Sequence, residues 1–173
     1  MDTLLPRELV EAGRKVVEAN RALGRKVAVA ESCTGGLVAA AITEIPGSSE
    51  VIEAGFMTYS NESKIDVLKV SQDVLETFGS VSIAVAWSMA QGALAKSNAD
   101  VAVAITGIAG PDGGSDKKPI GTVVFARAER DADPKHIIAD TRHFENNGRG
   151  GVRLQAALCA LELLMPREPD ETP

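Results

Sequence analysis

At 173 residues, with 45% apolar composition and a formal net charge of −6, the chain can bury a sizeable core, and its length favours one domain over 1–173. With no run of like charges and 3% aromatics, it has neither a basic stripe for phosphate backbones nor a stacking platform for bases, so nucleic acid is not expected as a ligand. Two distant cysteines, two histidines, no C-x-x-C or H-E-x-x-H, no signal-like N-terminus and no bilayer-length apolar run lead to the expectation of a reducing, cytoplasmic setting, with no metal, no cofactor and no membrane partner.

From Pro6 to Leu23, apolar residues at Leu9, Ala12, Val16 and Val17, then Ala19 and Ala22, form a one-sided stripe that Gly24 stops, which predicts an amphipathic helix. Val27 to Ala30 reads as a short buried strand, and Thr34 to Ile45 as a small-residue helix ended by Pro46 and Gly47. A strand is expected over Val51 to Tyr59. Short helices follow around Asn61 to Leu68 and Gln72 to Phe78, then a longer one from Ser82 to Ser97. Val101 to Thr106 repeats the pattern of the first strand and runs into a glycine loop. Gly121 to Ala128 and His136 to Phe144 read as two strands about a turn at Asp131 to Pro134, and Gly150 to Leu164 as a closing helix. Apolar strands among helices imply an α/β fold with a sheet covered on both faces, and the late strand pair makes that sheet mixed. The residues from Pro166 are expected to form a frayed tail.

Chemistry gathers in three loops that follow strands: AESCTGG, TYSNESK and TGIAGPDGG. Ser32 lies where a strand should give way to a helix, among free backbone N–H groups that can stabilise an oxyanion; Ser32 or Thr34 can equally serve as a helix N-cap. The stretch does not match the G-x-S-x-G elbow of α/β-hydrolases. Cys33 is a rival nucleophile or a buried, inert thiol. For a base, His136 and His143 are ordinary strand histidines as readily as catalysts. Lys64, five residues after Tyr59 and in a helix capped by Ser60 or Asn61, is either a base freed by desolvation or a surface cation. The S-x-x-K match of Ser115 to Lys118 falls in a glycine- and proline-rich loop and is discounted. The Thr106 to Gly114 loop, with four glycines in nine residues, suits close backbone approach to a ligand or a plain turn.

In order and spacing, AESCTGG, IPGSS, TYSNESK, VAVAITGIAGPDGG and KPIGTV resemble the CinA C-terminal domain family, which includes bacterial nicotinamide-nucleotide amidases. The resemblance runs from about Leu9 to Leu164. Larger members carry a further N-terminal domain resembling molybdopterin-binding proteins, and nothing attributed to that domain transfers to these residues. The resemblance implies a three-layer α/β/α sandwich with a mixed, mostly parallel five-stranded sheet. It also implies hydrolysis of the carboxamide of nicotinamide mononucleotide to nicotinate mononucleotide and ammonia, in pyridine nucleotide salvage, with a homo-oligomeric assembly. By motif, Ser32 is the nucleophile and Lys64 the base, with Tyr59 assisting orientation or proton transfer. Backbone amides around Cys33, Thr34 and Gly35 hold the oxyanion, and Thr106 and Gly107 lie near the substrate. Arg149 and Arg153, in an R-x-x-[IV]-R pattern, are candidates for the phosphate. FENNG, upstream, departs from the expected phenylalanine followed by a glycine and an acid. Two other readings stay open: a nucleotide- or protein-binding module without chemistry, and an amidase for a different small amide.

Overall fold

A computed structural model describes residues 3–133 and 135–167; Pro134 in the expected turn, and the expected tail from residue 168 onward, lie outside them. The alternation of valine and alanine in VAVA is the key to the architecture. Successive strand residues face opposite sides of a sheet. In β1 (Val27–Glu31) and β3 (Val101–Gly107), the larger Val27, Val29, Val101, Val103 and Ile105 face one helical layer, and the smaller Ala28, Ala30, Ala102 and Ala104 face the other.

The large-residue face packs on α1 (Arg7–Ala22), α2 (Leu37–Thr43) and α6 (Gly148–Leu163), and the alanine face on α3 (Asn61–Leu68), α4 (Gln72–Phe78) and α5 (Ile83–Ala95). Each large side chain fully buried there, such as Ile105 or Phe125, contributes about 2–3 kcal/mol. With β2 (Ile52–Met57), β4 (Thr122–Glu129) and β5 (Ile138–His143), the order is β2-β1-β3-β4-β5. The β1 pairings with β2 and β3 are parallel, and β4 runs antiparallel to both β3 and β5, so four strands share a direction and one opposes them. This is the expected mixed sheet between two helical layers.

Two glycines set helix spacing. A Cβ at Gly13 would strike the Ala41 carbonyl of α2, and one at Gly92 would strike the Leu68 carbonyl of α3. Gly92 therefore seats α3, which carries Lys64, against α5. The α1 stripe runs through Leu9, Gly13, Val16, Val17 and Asn20, whereas the expected Ala22 is exposed. Asn20 is tolerated inside because its amide donates to the Val16 and Leu164 carbonyls while its oxygen accepts from Arg25. One boundary moves materially: the helix expected from Thr34 starts at Leu37.

Candidate active site

The residues that end β1 divide between the two faces. Glu31 follows Val27 and Val29 toward α2, and Ser32 follows Ala28 and Ala30 toward α3. The Ser32 N–H donates to the Ile105 carbonyl at 3.0 Å, which extends the β1–β3 pairing by one step, and the Thr58 N–H donates to the Glu31 carbonyl at 2.9 Å on the other side. Ser32 thus stands between Thr58 and Thr106 at the carboxyl ends of three parallel strands.

Neither Ser32 nor Thr34 caps α2. The N-cap is Gly36, at φ +93°, without a side-chain cap. The buried Glu31 carboxylate takes the orphan helix donors instead, accepting from the N–H groups of Gly36 at 3.0 Å, Val38 at 3.2 Å and Ala39 at 2.9 Å. Two corrections follow. The positive end of α2 is occupied by Glu31 and is not free for an oxyanion, and the Ser32 hydroxyl is released from any capping duty.

Lys64 is 1% exposed and is no surface lysine. Its helix begins behind Ser60, whose hydroxyl accepts the Ser63 N–H at 3.1 Å. Helical side chains lean toward the N-terminus, so Lys64 reaches back over the first turn to the end of β2. Its Nζ lies 3.2 Å from Ser32 Oγ and donates to the carbonyls of Thr58 at 2.9 Å and Tyr59 at 3.0 Å. Burial pulls its pKa below the ordinary 10.5. A neutral amine has two N–H bonds and one lone pair. Such an amine can donate to the two carbonyls and keep its lone pair toward the Ser32 hydroxyl, while the protonated form donates to all three oxygens.

The other expected residues take varied places. Cys33 is buried in the core on the α6 side, and burial pushes its thiol up to about 11, which removes it as a nucleophile at neutral pH. Gly35 is corrected as an oxyanion donor: its N–H is held by the Ser32 carbonyl at 3.0 Å. Among the described residues, the Thr34 N–H donates to nothing, and the Cys33 N–H meets only the sulfur of its own residue. Tyr59 meets Lys64 through its main chain, not its phenol. It is 56% exposed and accepts from Arg149 Nη2 at 2.8 Å, so Tyr59 serves Lys64 through its backbone carbonyl.

Thr106 donates its hydroxyl to the Ser80 carbonyl at 2.8 Å, and Gly107 is small because a Cβ would meet Val123 and the Thr122 carbonyl. Both shape the strand end and offer no free polar side-chain atom. Arg149 also donates to the Gly110 carbonyl at 2.7 Å, and Arg153 donates to the carbonyls of Cys33 and Thr34. His136 and His143 are exposed, and His143 Nδ1 lies 3.2 Å from Thr122 Oγ1. Ser115 and Lys118 bond each other's backbone in a turn.

Sequence reasoning missed the capping role of Glu31 and the hydroxyl of Thr58, which, like that of Thr34, is buried and unpartnered among the described residues. An acid placed one residue before a serine, ahead of a helix whose first residues offer no capping side chain, is the signal that exposes Glu31. Among the described residues, no three His, Cys, Asp or Glu side chains gather into a metal-holding group, and no helix is long and apolar enough to cross a membrane. A groove of about 370 Å³ beside β5, lined by Arg127, Ile138, Asp140 and Leu163, lies away from Ser32 and Lys64.

Residues 10–167 match the CinA C-terminal domain family. The chain belongs to that family. The CinA domain is 46% identical over 157 residues to an Escherichia coli K12 protein named nicotinamide-nucleotide amidohydrolase PncC, covering 91% of this chain and 93% of that one. A protein of the same name from Enterobacter agglomerans is 47% identical over 156 residues, covering 90% and 93%. Against a Symbiobacterium thermophilum relative described as competence-damage inducible, identity is 49% over 146 residues, covering 82% of this chain but 34% of that relative's length. The crystal structure of competence/damage inducible protein CihA from Agrobacterium tumefaciens superposes with a TM-score of 0.88 at 45% identity, covering 94% of this chain and 96% of that one.

Proposed function

We propose that the CinA domain is a nicotinamide-nucleotide amidase, hydrolysing the carboxamide of nicotinamide mononucleotide to nicotinate mononucleotide and ammonia within pyridine nucleotide salvage. The names of its relatives over nearly its whole length supply the substrate class. The observation that carries the mechanism is the buried Lys64 amine 3.2 Å from Ser32 Oγ, with two carbonyls and, among the described residues, no carboxylate around it.

Neutral Lys64 accepts the Ser32 proton as Oγ attacks the carboxamide carbon, and the oxygen that gains charge is held by the Cys33 and Thr34 N–H groups. The lysine then gives its proton to the amide nitrogen, ammonia leaves, and an acyl-Ser32 ester remains. Water adds to the ester with Lys64 again as base, which releases the carboxylate and restores the hydroxyl. The Thr34 and Thr58 hydroxyls are the unpartnered polar groups that flank this step. Arg149, exposed at the rim beside Tyr59, is the cation for the phosphate. The cationic pyridinium polarises the carboxamide attached to it and disfavours a second positive charge on Lys64.

The test is ammonia release from nicotinamide mononucleotide by wild type and a folded Ser32→Ala variant. Release by the wild type alone is expected. A wild type that binds the nucleotide and releases nothing would establish the binding-module reading instead.

A further inference from the structure

One side chain holds the nucleophile loop from behind. Arg153, on α6 and half-buried, donates Nε to the Cys33 carbonyl at 3.1 Å and Nη2 to the Thr34 carbonyl at 2.9 Å. A trans peptide is planar, so a carbonyl and the N–H that follows it point in opposite directions. Fixing the Cys33 carbonyl on Arg153 therefore aims the Thr34 N–H away from α6. In the same way, the Ser32 carbonyl, fixed on the Gly35 N–H at 3.0 Å, aims the Cys33 N–H out of the turn. These are the two N–H groups of the loop that donate to no other residue among the described ones. A guanidinium on a peptide oxygen also polarises that peptide and strengthens the N–H at its far end.

We propose that Arg153 is a positioning residue for the oxyanion hole of Ser32, acting through the backbone and not on the substrate phosphate. The proposal rests on the amidase reading above. Gly35 belongs to the same device. At φ +60°, with an added Cβ only 3.2 Å from Arg153 Nη2, it is the residue that lets the guanidinium lie against the loop. Arg149, one helical turn earlier, is exposed and reaches the Gly110 carbonyl and Tyr59. The two arginines thus divide the work, one under the loop and one at the rim.

The discriminating comparison uses wild type, Arg153→Lys and Arg153→Met with nicotinamide mononucleotide and with nicotinamide riboside, the same amide without the phosphate. In Arg153→Met, kcat is expected to fall about 100-fold, the order of an oxyanion-hole loss, with KM changed little and an equal loss on the riboside. Arg153→Lys, which can still hold one carbonyl, is expected to recover part of the rate. A loss carried in KM and seen only with the mononucleotide assigns Arg153 to the phosphate and overturns the proposal.

Labelling of Ser32 by a fluorophosphonate needs the same N–H pair but no amide, and is expected to slow alongside kcat. Unchanged labelling in a folded Arg153→Met also overturns the proposal. A wild type that labels quickly yet releases no ammonia from either amide sinks the amidase reading, and the labelling rates still decide the role of Arg153.

Discussion

Two cations, Lys64 and Arg127, are each 1% exposed, and their surroundings give them opposite uses. Arg127 donates to the Glu129 carboxylate and to the carbonyls of Leu163 and Met165, so it ties the end of α6 to the sheet. Burial lowers its pKa and Glu129 opposes that shift, while a guanidinium stays protonated throughout. Among the described residues Lys64 has no carboxylate partner; it meets a hydroxyl and two carbonyls. A buried charge that keeps its counter-ion is a structural clamp, and one denied a counter-ion is pushed toward the neutral form, which suits Lys64 to the base role proposed for it.

That contrast can be broken most forcefully with rates. Ser32→Ala and Lys64→Ala are each expected to lower turnover of nicotinamide mononucleotide by at least about 1,000-fold, while the folded fraction of Arg127→Met keeps a near-normal rate. A reversal of those results, measured as ammonia release per folded molecule, would remove the distinction.

Stability sharpens it further. Arg127→Met strands Glu129 and two carbonyls and is expected to cost about 2–3 kcal/mol in denaturant unfolding. Lys64→Met, which relieves a desolvated amine, is expected to stabilise by about 1 kcal/mol at neutral pH. The sign follows from the lowered pKa. Between the folded value and 10.5 the unfolded lysine binds more protons than the folded one, so wild-type stability rises with pH through that window. The advantage of Lys64→Met is therefore largest below the folded pKa and shrinks as pH approaches 10.5. An advantage independent of pH would show that Lys64 is not depressed.

The smallest expected effect is at Thr58. Replacing its unpartnered buried hydroxyl with the matching methyl, Thr58→Val, is expected to raise stability by under about 1 kcal/mol in thermal unfolding. A gain in stability accompanied by slower turnover would show that the hydroxyl serves the reaction.

The fold was legible because its signals are periodic. The VAVA and VAVAIT runs encode strands covered on both faces, and glycine and serine punctuation located helix ends such as Asn61–Leu68 and Gln72–Phe78 without error. Ser32 and Lys64 were legible through loop position and resemblance, but their burial was not, because a lysine on a short helix reads as surface until Gly92 is seen to draw α3 inward. The α2 start was misread because its cap comes from Glu31, five residues before Gly36, on the preceding strand. Arg153 was legible only as a candidate for the phosphate, because nothing local shows that its guanidinium reaches the Cys33 carbonyl 120 residues earlier. Long-range side-chain-to-backbone bonds of that kind leave no periodic trace.

The proposed role of buried Lys64 as a neutral base is open to a direct test in the pH profile of kcat/KM. Activity is expected to rise with pH along a single limb with its midpoint below 10.5, and a Lys64→Arg variant to be inactive across the range because its side chain never deprotonates. A wild-type rate still climbing at pH 10.5, or a Lys64→Arg enzyme with appreciable turnover, would contradict it.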